Sequence, residues 1–380
     1  MNRYTTTFLV CVFSFFSCKE VKKKTNYINE STTVVKMDKI IEKPFEELVK
    51  DNYFIILETT ENNQISSVSD LFITQNLIFV GDKLHQGIFV FSYPEGKFIR
   101  EIDHFGRGPE EYSKMNDLSV NNEFKYLEVL DSNLKKILRY DFKGKYISTT
   151  KIPFWGAMEF TRLSEETVLL SQHIQNTNLE KPYELITIND SKVKEKFIKI
   201  ENVPSIAVGS SNRLKLINGE VFYKPLFSPF IFEVNDKEIQ CKYYFDFGDE
   251  WVSDDLLSKK FKDGKAFVNK CDNEGKVIFF NGTEGENKFI FSFRQHQKKH
   301  CVLFDTQSKV KVSISNYESG ICQKNRFEFF NNGYFISIKQ PDRIIEAYDK
   351  GILQSKYLTK DFVSNLTIHD NPILMFTKFR

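Results

Sequence analysis

The feature of this sequence that most constrains its fold is an internal repeat in the first half of the chain. A pattern of three strand-like runs and a tight turn at 78–99 is followed by a second copy of the same pattern. Two landmarks recur with nearly one period: Asp82 and Asp131 are 49 positions apart, and Gly96 and Gly144 are 48 positions apart. A shared period at two landmarks is hard to obtain by chance, so the sequence predicts a fold built from repeated β-units.

The same turn chemistry recurs four more times, each time after a strand-like run. The four runs are Tyr183–Ile188, Phe230–Val234, Cys301–Phe304 and Arg343–Tyr348, and the turns after them begin at Asn189, Asn235, Asp305 and Asp349. Asn and Asp, followed by Gly or Ser, supply the backbone geometry that tight strand reversals need. Six hairpins in four-stranded units of roughly 40 to 50 residues predict an all-β, six-bladed β-propeller.

The sequence also predicts where the ring of blades closes and where one insertion lies. An open blade edge would leave backbone groups unpaired, so the two chain ends of a propeller are expected to meet. The apolar strand at 51–60 precedes the first full unit, and we expect it to pair within the final blade. The interval between the turns at Asp236 and Asp305 is longer than the others. Within it, Ser253 is suited to cap a short helix that starts at Asp254.

Composition and charge favour a large folded core and argue against nucleic acid as a partner. Apolar residues make up 41% of the chain and aromatic residues 15%, which is enough to bury a sizeable core. Lys and Arg total 53 against 51 Asp and Glu, so the net charge is only +2. Nucleic-acid binders carry a strong basic excess, which this chain lacks.

The first residues have the pattern of a targeting signal. The apolar run at 8–17 has 10 residues, whereas a membrane-spanning helix needs roughly 20. Cys18 follows directly and resembles the acylated cysteine of bacterial lipoproteins; the alternative is an ordinary signal peptide with a chance cysteine. The predicted organisation is a signal peptide at 1–17, a lipidated Cys18 with a flexible tether at 18–45, and the propeller at 46–380. Acyl chains would anchor the protein to a membrane without spanning it.

Residues after Cys18 bear on the location of the anchored protein. Lys19, rather than Asp, stands at the second position after cleavage, and this is typical of lipoproteins that are delivered to the outer membrane. The next residues, Lys22–Lys24, are basic, whereas surface-displayed lipoproteins usually carry an acidic cluster there. We therefore expect a lipid-anchored envelope protein in the outer membrane that faces the periplasm.

One loop carries a family resemblance. The stretch Phe105–Tyr112, together with Leu57–Thr60 and the repeat around Asp82, resembles the six-bladed β-propeller lipoproteins of Bacteroidetes, which are similar to NHL-repeat propellers. The likeness is strongest from residue 57 to 147. Glu110 stands where the family pattern usually has a third Gly. The resemblance implies an exported propeller of undetermined molecular function, often assumed to bind something, and it implies no reaction.

The loop itself has two interpretations. In the first, it contacts a ligand through backbone N–H groups and an anion-binding guanidinium; the candidate residues are Gly106, Arg107, Gly108, Pro109, Glu110 and Tyr112. In the second, which we prefer, it connects two blades, with glycines at positive φ, a turn stiffened by proline and a tyrosine packed between the blades. A phosphate loop is excluded, because the Lys-Ser/Thr pair of that motif is missing.

Other candidate sites are weak. His296 and His300 have ligand-like spacing, but their apolar flanks predict a hairpin turn, so we expect no metal and no cofactor. Asp82 and Asp131 either line the central channel or bond backbone N–H groups within each blade, and the second is commoner. Four cysteines of the mature chain are expected as buried thiols rather than disulfides: Cys241, Cys271, Cys301 and Cys322.

Three classes of function remain at this point. The first, which we favour, is a membrane-anchored binding or scaffolding module for an envelope protein, a peptide or a glycan. The second is a propeller enzyme, a hydrolase or lyase with residues from several blades at the channel, which strongly perturbed pKa values there would support. The third, nucleic-acid binding, is disfavoured by charge and export. The sequence leaves the oligomeric state open.

Overall fold

The strand-like runs of the sequence form six small antiparallel sheets. The computed structural model describes residues 27–121, 123, 125–172, 183–199, 213–217, 219–315, 327–350 and 359–380. Each sheet pairs four consecutive or ring-closing strands, and the first strands of neighbouring sheets contact one another. This is the six-bladed β-propeller that the repeat predicts.

The first three blades follow the chain order. Blade 1 contains β4 (Asp70–Ile73), β5 (Leu77–Asp82), β6 (Gly87–Ser92) and β7 (Phe98–Ile102). Blade 2 contains β8 (Asp117–Asn121), β9 (Tyr126–Asp131), β10 (Lys136–Asp141) and β11 (Tyr146–Lys151). Blade 3 contains β12 (Ala157–Arg162), β13 (Thr167–Gln172), β14 (Tyr183–Asn189) and β15 (Lys192–Lys199).

The last three blades also recruit strands from the N-terminal part of the described chain. Blade 4 contains β16 (Leu214–Ile217), β17 (Glu220–Tyr223), β18 (Phe230–Val234) and β19 (Ile239–Asp246), with β1 (Thr33–Lys36) at its outer edge. Blade 5 contains β20 (Ile278–Glu284), β21 (Lys288–Gln295), β22 (Lys298–Asp305) and β23 (Lys311–Ile314), with β2 (Ile41–Lys43) outside. Blade 6 contains β24 (Phe327–Asn331), β25 (Tyr334–Lys339), β26 (Ile373–Phe379) and β3 (Val49–Ile56).

The core lies between the blades. The second strands are buried on both faces, and every residue of β9 is buried. Between blades 1 and 2, Phe79 and Val90 of one sheet pack against Leu127 and Leu138 of the next. Because each sheet is covered by a neighbour on either face, its middle strands are near-continuous apolar runs rather than alternating ones.

The ring closes as predicted. The N-terminal strand β3 pairs antiparallel with β26, from Ile56 opposite Ile373 to Asp51 opposite Lys378. Blade 6 therefore joins the two ends of the folded chain, and its third strand has no unpaired edge.

Part of the segment predicted as a flexible tether is paired with blades. Within 18–45, β1 lies parallel to β19 with Val35 opposite Phe245, and β2 lies parallel to β23 with Ile41 opposite Val312. Val35 is buried in the core. The stretch 33–43 therefore belongs to the propeller, because it supplies hydrogen bonds to two edge strands that would otherwise be open. Residues 1–26 lie outside the described residues.

One predicted hairpin is wrong. The run Arg343–Tyr348 is part of a helix, Pro341–Asp349, and the third strand of blade 6 is β26 instead. Pro341 stands in the first turn, where its missing N–H costs nothing, and Ile344 is buried on the inner side. Apolar residues at 344, 345 and 348 fit a helical face as well as a strand, and tertiary packing selects the helix.

The other helices are short. They are Phe45–Leu48, Asp254–Ser258, Gly264–Asn273, Lys360–Ser364 and a 3₁₀ turn at Gly248–Glu250. The predicted cap is confirmed, since the side chain of Ser253 accepts a hydrogen bond from the N–H of Leu256 at 3.2 Å. Among the described residues, no helix is long and apolar enough to cross a membrane.

Candidate functional site

The loop at 105–112 is a connector that folds back on itself. The N–H of Gly106 donates to the carbonyl of Tyr112 at 2.9 Å, and the N–H of Tyr112 donates to the backbone carbonyl of His104 at 2.9 Å. The N–H of Gly108 donates to a carboxylate oxygen of Glu111 at 2.8 Å. The positive φ predicted at the two glycines is wrong, because neither lies in that region. A Cβ at Gly106 would lie 2.0 Å from Oε2 of Glu111, so a larger residue there would displace the end of that flexible side chain.

The tyrosine of this loop packs between blades, as predicted. Tyr112 is fully buried between blades 1 and 2, and its hydroxyl donates to the carbonyl of Gln86 at 2.8 Å. Arg107, Pro109 and Glu110 stay exposed at the surface. A ligand-binding role for the loop stays a prediction, and its backbone N–H groups at 106 and 108 are already engaged internally.

Asp82 and Asp131 hold their own blades together. Asp82 accepts hydrogen bonds from the N–H groups of Ser66 at 2.6 Å and Leu84 at 2.9 Å. Asp131 accepts from Ser113 at 2.6 Å and Leu134 at 2.9 Å in the equivalent places. Both carboxylates are fully buried, and each ties the segment before an inner strand to the turn between the second and third strands. Both residues thus bond backbone N–H groups within their own blades, and neither residue lines the channel cavity.

The remaining predicted sites are histidines and cysteines, and some of them lie outside the residues that the structure describes. His296 and Gln297 form the tight turn between β21 and β22, as expected. Within the described ranges, no three His, Cys, Asp or Glu side chains are grouped to hold a metal ion. Cys241, Cys271 and Cys301 are buried thiols, as predicted. Cys18 and Cys322 lie outside the described residues.

A cavity of about 610 Å³ occupies the central channel. Its wall is built by the first strands of the blades, β4, β8, β12, β16, β20 and β24, with contributions from second strands. Several of the lining side chains are polar or charged: Asp70, Asp117, Asn121, Glu128, Arg162, Lys215, Thr283 and Asn331. A concave site with a few convergent charged groups is the usual form of a ligand site.

The wall formed by blades 1 and 2 is acidic. Nζ of Lys83 lies 3.0 Å from a carboxylate oxygen of Asp70 and 3.4 Å from one of Asp117. The N–H of Phe160 also donates to Asp117, at 2.9 Å. Burial raises the pKa of Asp70 to about 6 and the pKa of Asp117 well above its usual range, although Lys83 opposes both shifts. One lysine for two buried carboxyl groups means that this wall holds a proton more readily than a surface carboxylate does.

The wall between blades 2 and 3 carries a closed ion-pair network. Glu128 is buried and accepts from Arg139 at 3.0 Å and from Arg162 at 2.7 and 2.8 Å. Arg139 also contacts Glu165 at 3.0 Å and lies over the ring of Tyr126. Each charge in this network has an opposite partner, so the network positions Arg162 at the cavity wall.

Blade 4 places a second network behind the cavity. Two backbone N–H groups, those of Arg213 and Leu214, donate to Glu159 at 3.0 to 3.2 Å. The hydroxyl of Tyr223 donates to Glu184 at 2.5 Å and accepts from Arg213 at 3.1 Å. Burial raises the pKa of Glu184, although Arg213 and Tyr223 oppose that shift.

The wall between blades 4 and 5 is basic. Nζ of Lys215 donates to the hydroxyl of Thr283 at 2.8 Å and to the carbonyl of Glu328 at 2.7 Å. Nζ of Lys224 donates to the amide oxygen of Asn281 at 2.5 Å. Burial lowers the pKa of Lys215 to about 8 and that of Lys224 to about 7. Both lysines therefore lose their protons more easily than surface lysines do.

None of these cavity residues was singled out from the sequence. One signal was available: Asp70 and Asp117 stand at the first position of β4 and β8, equivalent places in the repeat. Lys215 and Thr283 carried no such signal: Lys215 is a single polar residue in β16, and Thr283 is one of several polar residues in β20 of the next blade.

Together, the sheets and the cavity define a six-bladed β-propeller with a charged central chamber. The chain belongs to the family described as "Domain of unknown function (DUF4934)", which matches residues 27–378. None of the curated proteins is similar enough in sequence to count as a relative.

Two solved structures share the architecture. A protein of Bacteroides fragilis, provisionally described as exported, superposes with a TM-score of 0.80 at 16% identity, over 92% of this chain and 100% of that one. A member of the DUF4221 family from Bacteroides vulgatus superposes with a TM-score of 0.53 at 10% identity, over 88% of this chain and 97% of that one. At these identities the likeness concerns the fold alone. The lipoprotein and NHL-like parts of the resemblance stay predictions.

Proposed function

We propose that this protein is an exported, lipid-anchored binding module of the cell envelope, whose propeller takes a peptide, a glycan or a segment of a protein into its central channel. The observation that carries the proposal is the cavity of about 610 Å³ with charged side chains on its wall. Most of these charges are paired with one another, which offsets the cost of their burial, and they leave polar groups on a concave wall that can orient a ligand.

Two further points support the location in the envelope. The predicted signal peptide and Cys18 would deliver the chain to a membrane surface and hold it there. The similar Bacteroides fragilis propeller is provisionally described as exported. Periplasmic orientation predicts that protease added to intact cells leaves the propeller uncut, and cleavage on intact cells would contradict it.

Channel binding can be tested with two matched tryptophan variants. Ser119 lines the cavity on β8, so Ser119→Trp would fill part of it, whereas Ser148 is exposed on the outer strand β11. The full-length chain would be captured from solubilised envelope after gentle cross-linking, beside Cys18→Ala. We expect a partner that is lost with Ser119→Trp and kept with Ser148→Trp. A partner kept by both variants binds elsewhere and would contradict channel binding.

A second candidate function is an enzyme with its active site in the same channel. The observation in its favour is the set of pKa shifts on opposite walls, with Asp70 at about 6 and Lys215 at about 8. Groups that titrate near neutral pH suit general acid–base chemistry. Hydrolysis or lyase cleavage of glycan substrates that disappears in Asp70→Asn, with the fold intact by circular dichroism, would favour the enzyme. Binding without turnover in the wild-type chain would favour the module.

A further inference from the structure

Lys215 on the cavity wall belongs to an ordered cluster of cationic side chains, whose other members, Arg213 and Lys224, line the small void behind it. Arg213 directly precedes β16, Lys215 lies on β16 and Lys224 directly follows β17. The two strands are antiparallel, and the N–H of Lys224 donates to the carbonyl of Arg213 at 2.9 Å. Three cationic side chains are thus held on neighbouring strands of one blade, which we name the cationic corner.

The hydrogen-bond partners of the two lysines are neutral. Lys215 donates to a hydroxyl and a backbone carbonyl, and Lys224 donates to a side-chain amide oxygen. The hydroxyl of Thr283 gives its own hydrogen to the carbonyl of Phe327, so it accepts from Lys215. An ammonium group has three donors, and these two acceptors leave the third N–H of Lys215 for the cavity that it lines.

The two nearby carboxylates differ in how fully they are engaged. Glu159 receives the backbone N–H groups of Arg213 and Leu214. Oε1 of Glu284 accepts from the hydroxyl of Tyr243 at 3.0 Å and lies 3.7 Å from Nζ of Lys242, whereas Oε2 is buried without a hydrogen-bond partner among the described residues.

A small void of about 20 Å³ lies behind Lys215. Its lining includes Lys215 itself together with Arg213, Lys224 and Glu284. In the described part of the chain, Nε of Arg213 is buried without a hydrogen-bond partner. A void of this size holds one water molecule. The residues around the void thus include one unpaired buried donor, Nε of Arg213, and one unpaired buried acceptor, Oε2 of Glu284, and the donor that faces the main cavity is the third N–H of Lys215.

We propose that the cationic corner recognises an anionic group, a carboxylate, phosphate or sulfate, on a small polar ligand that occupies the central cavity. This inference rests on the proposed function, because it names the ligand chemistry of the same channel. Lys215 contacts the anion directly through its third N–H. Lys224 and Arg213 contribute from behind by charge and through the solvated void.

A pH dependence follows from this arrangement. The charged and titratable groups that act on Lys215 and its neighbour are Glu159, Arg213, Lys224, Glu284 and Glu328. Burial lowers the pKa of Lys215 to about 8. An anion binds the protonated form, so the affinity that Lys215 supplies is nearly full at pH 7, about half at pH 8 and about tenfold lower at pH 9 than at pH 7.

The test is isothermal titration of the full-length chain with glucuronate, glucose 6-phosphate and glucose 6-sulfate at constant ionic strength, with glucose as the neutral control. The three anions separate the possible sources of the negative charge. We expect one of them to bind at least tenfold more tightly than glucose, and we expect Lys215→Met to abolish that preference. The matched control Lys194→Met, an exposed lysine of the outer strand β15, leaves it unchanged.

Two results would overturn the inference: anions that bind no tighter than glucose, or an anion preference that survives in Lys215→Met. If that variant fails to fold, the wild-type pH profile decides, and a flat affinity from pH 7 to 9 overturns the inference. Tight binding of glucose alone, lost with Ser119→Trp, would keep the proposed channel function and remove only the anion site.

Discussion

Removal of the buried Asp131 carboxylate should destabilise blade 2 by several kcal/mol. The carboxylate accepts from the N–H and hydroxyl of Ser113 at 2.6 and 2.9 Å and from the N–H groups of Leu134 at 2.9 Å and Lys114 at 3.3 Å. Asp131→Ala leaves three backbone N–H groups without their acceptor. At about 1 to 1.5 kcal/mol for each lost bond to a buried group, the total is about 3 to 5 kcal/mol.

Asp131→Asn provides an intermediate case. The amide keeps one oxygen for one N–H group, but its NH₂ faces donors, so we expect about half of the loss seen with alanine. Asp141→Ala is the matched control. That carboxylate also accepts from two backbone N–H groups, Lys143 and Lys145 at 2.8 Å, but it does so in an exposed hairpin turn where water can replace it. We expect a loss of about 0.5 to 1 kcal/mol there.

The assay is urea unfolding followed by circular dichroism, with thermal melting alongside. A loss of 3 to 5 kcal/mol corresponds to roughly 4 to 7 °C in the melting temperature of a chain of this size. If Asp131→Ala and Asp141→Ala cost the same, the reasoning that burial decides the strength of these bonds is refuted. A loss below about 1 kcal/mol for Asp131→Ala would refute the structural role of the repeated aspartate itself.

Three further predictions concern closure, a turn and pH. Deletion of residues 1–56 removes β3 and exposes the edge of β26, so we expect aggregation in size-exclusion chromatography, and a stable monomer would contradict closure. Gly96→Ala places a Cβ 2.3 Å from the carbonyl oxygen of Ile56, whereas Gly219→Ala meets nothing within 4 Å. Both glycines have positive φ, so urea unfolding should show a loss of about 1 kcal/mol for Gly219→Ala and at least twice that for Gly96→Ala, and equal losses would contradict the contact. Burial raises the pKa of Glu284 to about 7, so the folded chain holds an extra proton between pH 4.5 and 7 and loses stability as the pH rises. The stability of Glu284→Gln relative to wild type should therefore grow over this range, and a constant difference would contradict the shift.

Most of the architecture could be predicted from the sequence alone. Periodic hairpins predicted six blades, the strand before the first unit predicted ring closure, and Ser253 predicted a helix in the insertion; all three are observed. These features are local or repeated, because turn chemistry, strand periodicity and capping depend on residues that are near one another in the chain.

The errors of sequence reasoning concern segments whose structure depends on contacts with residues far away in the chain. The run at 343–348 has apolar spacing that suits either a strand or a helix, and packing of Ile344 against blade 6 decides for the helix. The segment at 33–43 has few large apolar residues, yet it is ordered by pairing with β19 and β23, far away in sequence.

The candidate site was decided by the tertiary structure. Lys215 meets Thr283 from blade 5 and the carbonyl of Glu328 from blade 6, while Lys83 joins Asp70 and Asp117 from neighbouring blades. Asp70 and Asp117 are marked in the sequence only by their equivalent places in the repeat, and Lys83, Lys215 and Thr283 have no such mark. The sequence by itself determined how many blades form and how the ring closes. Only radial packing of six inner strands brought the charges to one channel and removed water from them, and that burial is the physical reason for their shifted pKa values.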